Sequence, residues 1–139
     1  MKKIKNLNES DFLKLLFAFL AACFLVAAVL MPDRGEMFSG FVKILTSPCK
    51  VSTNYFALGG YAATFLNMGL VCLTSLLLFV VFKGTANNAS TLAVILTTGF
   101  GSWGINVLNI WPTIFGVMIY GLVKKEKMGT LVNAMLFST

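Results

Sequence analysis

Residues 52–69 read STNYFALGGYAATFLNMG. A polar cluster leads into the pair Gly59 and Gly60, and a long apolar segment follows that carries the amide of Asn67. An asparagine is costly where it faces hydrocarbon, so its side chain must face protein or water. We therefore interpret this stretch as the lining of a polar site or as a close contact between helices.

The composition of the whole chain indicates a membrane protein. Of its 139 residues, 58% are hydrophobic and 12% are charged, the mean hydropathy is +0.85, and Lys83 is the only charge between positions 51 and 123. A soluble domain of this size carries more charge. Since one crossing takes about 20 apolar residues, the sequence predicts an all-α membrane protein with about four transmembrane helices. A short interfacial or re-entrant segment completes the predicted fold, and the chain forms one multi-pass domain.

The first predicted crossing covers residues 12–31 and ends before Pro32. An alternative comes from Leu20–Cys23, whose LAAC sequence fits the cleavage site of a bacterial lipoprotein. The chain stays apolar from there to Met31, whereas a mature lipoprotein turns polar after the lipidated cysteine. This favours an uncleaved first helix.

Two shorter segments follow. Residues 33–50 alternate charged and apolar side chains at helical spacing, which predicts a short amphipathic helix at the membrane surface that ends at Ser47 and Pro48. Residues 51–60 are too short to span the bilayer and too apolar for a free loop. A re-entrant or partly unwound segment is the prediction for them.

The second crossing is predicted at residues 61–82, directly before Lys83. Residues 89–123 are then too many for one straight crossing and slightly few for two. A hairpin with legs at 89–104 and 106–123 keeps Lys83 and the lysine-rich segment 124–127 on the side of the N-terminal lysines, as the positive-inside rule favours. The alternative is a re-entrant loop at 99–104 followed by a single crossing. A further apolar segment starts at 130–139.

The charges also predict location and exclude some partners. The net charge of +6 is concentrated at the ends of apolar runs, where lipid headgroups are the expected counter-charge rather than nucleic acid. We expect a multi-pass protein of the bacterial inner membrane with a cytoplasmic N-terminus. Its partners are the lipid bilayer and either further copies of itself or a complementary membrane half.

No enzyme, metal site or cofactor is predicted. The chain has no histidine, and its three cysteines at 23, 49 and 72 have no paired spacing, which disfavours a disulfide framework or a zinc site. The predicted crossings contain no acidic side chain or histidine to act as a catalytic base.

Several motifs are similar to those of a family of bacterial multi-pass membrane proteins of unknown function, over about residues 40–125. They are Ser47-Pro48, Thr53-Asn54-Tyr55, the run from Gly59 to Leu70, and Asn109-Ile110-Trp111-Pro112. Members of that family are longer and carry a second hydrophobic half. The resemblance implies a membrane protein that matches the N-terminal part of the family, and it implies no particular activity.

Two functions remain open for the polar and glycine positions inside apolar sequence. They line a path for a small polar or ionic solute in part of a transporter or channel, or they join helices in a structural or assembly subunit. Asn67 and Asn109 each follow a glycine at the same spacing, so the two stretches are comparable. The candidate residues are Thr53, Asn54, Gly59, Gly60, Thr64, Asn67, Gly99, Gly101, Gly104, Asn106 and Asn109.

Overall fold

A computed structural model describes residues 8–48 and 53–139, which form α-helices joined by turns. The all-α prediction is confirmed. The N-terminal lysines at 2, 3 and 5, together with Cys49 and Lys50, lie outside the described residues. The helices are α1 (Glu9–Leu30), α2 (Met37–Thr46), α3 (Tyr55–Val81), α4 (Asn88–Phe100), α5 (Trp111–Lys124) and α6 (Met128–Phe137), with a 3₁₀ turn at Arg34–Glu36 before α2.

Two of the described helices, α1 and α3, are long and apolar enough to cross a membrane. They have 22 and 27 residues, which correspond to about 33 and 40 Å against a hydrocarbon core of about 30 Å. The helix that contains the second predicted crossing, 61–82, begins at Tyr55 and is interrupted at Gly60. Helices α4 and α5 have only 13 and 14 residues, about 20 Å each, so four crossings stay a prediction.

Helices α1 and α3 pack closely along their lengths. At Gly69 a side chain would collide with Leu25, whose Cδ2 lies 2.8 Å from the position of a Cβ atom. Nearer the other end of the pair, the rings of Phe17 and Phe79 lie 6.1 Å apart inside the main apolar core. A small residue such as Gly69 lets two helix backbones approach closely, as is common in membrane proteins.

Three chain segments meet at one end of the bundle, which we call the lysine end because Lys83 and Lys127 lie there. Ser10 at the start of α1 accepts a hydrogen bond of 2.9 Å from the backbone N–H of Ala86. The start of α6 packs on the turn after α3, where the Gly129 carbonyl oxygen lies 3.1 Å from the position of a Cβ on Gly84. Helix α4 therefore runs away from the lysine end, and α5 runs back to it.

Helix α2 covers the opposite end of α3, which we call the Asp33 end. Gly40 faces the carbonyl of Gly59 so closely that no side chain fits between the two backbones, and Ile44 is fully buried. The helix predicted within 33–50 is present, and one face of it packs against α3. Because residues 49–52 lie outside the described ranges, the segment predicted at 51–60 is described only from Thr53 onward.

Candidate functional site

Residues 101–110, the tip segment, join α4 to α5 without forming a helix. The helix predicted over 89–104 ends at Phe100, and the one predicted over 106–123 begins at Trp111. Turn hydrogen bonds from the N–H groups of Trp103 (2.8 Å) and Ile105 (3.2 Å) to the Phe100 carbonyl fold the segment back on α4. Gly104 supplies the positive φ of 79° that this turn requires.

Asn67 fixes the tip segment to the middle of α3. Its Nδ2 donates to the carbonyls of Gly101 (2.7 Å) and Ile105 (2.8 Å), and its Oδ1 accepts from the N–H of Val107 at 3.2 Å. The side chain is fully buried. All of its partners are backbone groups of the tip segment, which removes the cost of burying an amide and of leaving irregular backbone unpaired.

Asn106 joins the tip segment to the Asp33 end. Its Nδ2 donates to the Ile44 carbonyl at 3.1 Å and to the Tyr55 hydroxyl at 3.4 Å. Its Oδ1 accepts from the N–H groups of Leu108 and Asn109, both at 3.0 Å. One buried amide therefore connects α2, α3 and the turn before α5.

Among the residues that the structure describes, the Asn109 side chain forms hydrogen bonds only within the tip segment. Its Oδ1 accepts from the N–H of Asn106 at 2.8 Å, and its Nδ2 donates to the Gly104 carbonyl at 2.7 Å. Although Asn67 and Asn109 stand at the same spacing behind a glycine, they have different roles. Asn67 joins two elements, whereas Asn109 closes a local turn.

Asn54 begins α3 beside the tip segment. Its Oδ1 accepts from the N–H groups of Phe56 (3.0 Å) and Ala57 (3.4 Å), which is the usual hydrogen bonding of a helix N-cap. Its backbone pairs with Trp103 in an antiparallel bridge. Thr53 makes no side-chain hydrogen bond to another described residue, and its place in a solute path stays a prediction.

Helix α3 is interrupted at Gly60, where φ is 86° and ψ is 176°. The N–H of Ala62 after the break donates to both carboxylate oxygens of Asp33, at 3.1 and 3.2 Å. Thr64 donates from its Oγ1 to the Gly60 carbonyl at 2.7 Å. The irregular backbone predicted near Gly59 and Gly60 is therefore a single break, and a carboxylate caps the helix that restarts after it.

The predicted glycine contacts are present at some positions only. Gly59 packs against Gly40 and Ile44, and a Cβ on Gly101 would lie 3.3 Å from the Met68 Cα. Gly99 has no atom within 4 Å of the position of its Cβ, so no close helix contact occurs there. The glycines of the tip segment serve the turn and its contact with α3.

Sequence reasoning missed Asp33 and the role of Tyr55. Asp33 directly follows the proline that ends α1, and a carboxylate next to a predicted crossing is the only signal that points to it. The ring of Tyr55 is fully buried and its hydroxyl bonds to Asn106, a role that nothing in the local sequence indicates. The described residues contain no group of three or more His, Cys, Asp or Glu side chains placed to hold a metal ion.

The site as a whole is a piece of irregular backbone held inside a helical protein. Asn67 and Asn106 use their amide groups on the chain itself, and both are buried. Residues 33–139 match the family described as "Protein of unknown function (DUF1576)". The chain belongs to this family.

The family match covers α2 to α6 together with the Asp33 cap, and so includes every candidate residue of the site. It agrees with the resemblance to a family of unknown function found in the sequence. No curated protein and no solved structure matches the chain. The family therefore assigns no chemistry to the tip segment, and its function has to be inferred from geometry.

Proposed function

We propose that this DUF1576 protein is an integral membrane protein that forms part of a transporter or channel for a small polar or ionic solute. The main supporting observation is that the tip segment packs against α3, the helix that is interrupted at Gly60, and is hydrogen-bonded to it at Asn67. Irregular backbone at membrane depth is tolerated only where protein or a water-filled cavity surrounds it. Transporters use interrupted helices of this kind to present backbone groups to solutes.

The depth of the tip segment supports this proposal. Asn67, which is hydrogen-bonded to the segment, lies about 21 Å along the helix axis from Val81 at the lysine end of α3. Helix α4 rises about 20 Å from the same end before the tip segment begins. With the lysine end at one membrane surface, both distances would put the segment inside a hydrocarbon core of about 30 Å.

In this proposal the asparagines position the backbone and do not bind the solute. The side chains of Asn67 and Asn106 are already bonded to the tip segment, α2 and α3. The solute would meet peptide groups of the tip segment on the side away from α3. The protein would have no catalytic role and no metal or organic cofactor.

The exposed apolar face of α5 supports placement in a bilayer. This helix buries Ile114 and Gly121 and exposes several large apolar side chains. Those of Ile119, Leu122 and Val123 are 61–73% exposed. We place the protein in a bacterial inner membrane with the lysine end in the cytoplasm. Lipid, a second copy or a complementary membrane half would cover α5.

A structural or assembly subunit is the second candidate, and the saturated amides favour it. An asparagine that lines a path keeps amide groups free to bind water or solute, whereas the amide of Asn67 forms three hydrogen bonds to the protein backbone. Interhelical hydrogen bonds of this kind stabilise membrane proteins by about 0.6 to 2 kcal/mol each. On this view the tip segment is a packing element.

Flux measurements in proteoliposomes separate the two candidates. Liposomes that contain the purified protein should become permeable to at least one solute from a panel of K⁺, Na⁺, Cl⁻ and glycerol. Asn109→Ala should lower that flux while the protein stays folded, because Asn109 shapes only the tip segment. The matched control is Asn88→Ala, since Asn88 is exposed at the lysine end and should leave flux unchanged. Folded wild-type protein that passes none of the probes would favour the structural subunit.

A further inference from the structure

A cavity of about 520 Å³ lies at the lysine end, away from the tip segment. It is bounded by the turn after α3, the start of α4 and the first turns of α6. Its lining residues are Phe82, Lys83, Thr85, Asn87, Lys127, Gly129, Thr130 and Asn133.

The cavity carries positive charge without a compensating acid in its lining. Lys83 and Lys127 approach it from two different elements, and no aspartate or glutamate is among the lining residues. Lys83 holds this place in a left-handed conformation with φ of 52°, which a lysine adopts rarely. Two ammonium groups around one cavity attract a phosphate group.

The remaining polar residues of the lining can hydrogen-bond to the same anion. Thr85, Asn87, Thr130 and Asn133 bring hydroxyl and amide groups to the cavity. The Oδ1 atom of Asn133 is itself buried and accepts no hydrogen bond from any residue in the part of the chain that the structure describes, so a ligand in the cavity would not reach it. The cavity therefore offers two ammonium groups and further polar donors to an oxyanion.

The geometry points to a site for the headgroup of an anionic phospholipid, for which phosphatidylglycerol is the probe. Its phosphate lies between Lys83 and Lys127. The exposed side chains of Val80 and Val81 immediately precede the site and offer an apolar surface for the acyl chains. This inference rests on the membrane placement proposed above and does not require transport.

Thermal unfolding of the purified protein in neutral detergent, titrated with phosphatidylglycerol, tests the site. Phosphatidylglycerol should raise the melting temperature, and phosphatidylcholine at equal concentration should not. In the double variant Lys83→Gln/Lys127→Gln, the lipid concentration needed for half the effect should rise about thirtyfold, as expected for two surface lysines. The variant Lys83→Arg/Lys127→Arg keeps the charges and should keep the response.

The matched control is Lys124→Gln/Lys125→Gln, which removes the same charge near the same end. Lys125 also has a positive φ, of 56°, so the two double variants share the same backbone constraint. The control should respond to phosphatidylglycerol like the wild type. Equal losses in both double variants would show diffuse surface attraction and overturn the site.

Two further outcomes would also overturn the proposal. If inorganic phosphate stabilises the wild type as well as the lipid does, the ligand is a soluble anion. If phosphatidylglycerol has no effect on the wild type, the cavity holds no headgroup. Extraction of cell membranes with alkaline carbonate tests the placement separately, since release of the protein would refute membrane insertion whatever the flux assay shows.

Discussion

Replacing Asn67 by leucine tests how the tip segment is held. The change removes hydrogen bonds to two carbonyls and one N–H group of residues 101–107 and leaves them buried without partners. At the roughly 0.6–1.7 kcal/mol typical of a hydrogen bond between elements of a membrane protein, three bonds give an expected loss of about 2–5 kcal/mol in the free energy of unfolding. Unfolding in mixed detergent micelles with increasing dodecyl sulfate measures this loss.

The control on the same helix is Thr74→Val. The Thr74 hydroxyl donates to the Leu70 carbonyl of its own helix at 2.9 Å, so the change should cost no more than about 0.6 kcal/mol. Amide hydrogen exchange gives a local readout, because the Val107 N–H loses its acceptor in Asn67→Leu and should exchange faster. A variant as stable as the wild type, with unchanged exchange at Val107, would refute the role assigned to Asn67.

Three further predictions concern the Asp33 end and the topology. Gly40→Ala should destabilise the protein by about 1–3 kcal/mol in the same unfolding assay, because the added Cβ would collide with the Gly59 carbonyl. The control is Gly35→Ala, whose Cβ would have no atom within 4 Å and which should be neutral. Asp33→Ala should cost about 1 kcal/mol by uncapping the helix after Gly60, and the exposed Glu36→Ala should cost less; equal effects would contradict the cap. Single cysteines at Arg34 and Thr85, in a version without Cys23, Cys49 and Cys72, should react with an impermeant thiol reagent from opposite membrane faces, and labelling from one face would contradict the topology.

Local sequence predicted the helices because their signals are local. The uncharged run before Lys83 predicts α3, and the apolar run before Pro32 predicts α1. At most of the helix ends, the predicted and the observed residue differ by only a few positions. The early start of α3 at Tyr55 was missed because Gly59 and Gly60 are typical of a helix end. Here Gly60 only interrupts the helix, since Asp33 caps the part that follows.

The partners of the candidate residues could not be predicted from sequence. The sequence identifies Asn67 as an amide that needs hydrogen-bond partners. Those partners lie in the tip segment between α4 and α5, and their position depends on how this segment folds back on α3. Likewise, nothing local pairs Asn106 with the Ile44 carbonyl and the Tyr55 hydroxyl. The equal spacing of Asn67 and Asn109 behind glycines suggested similar roles, and the structure gives one of them a long-range role and the other a local role.

The depth of the tip segment in the membrane tests the central claim most directly. Leu108 is 58% exposed in this segment and can carry a nitroxide label on a cysteine in a version without the native cysteines. The label should lie about 10 Å below the membrane surface at the Asp33 end, since the segment begins about 20 Å from the lysine end in a core of about 30 Å. It should then collide readily with oxygen and rarely with a water-soluble nickel chelate, unlike a label at Arg34. Equal access of the chelate to Leu108 and Arg34 would place the segment in water and contradict the account.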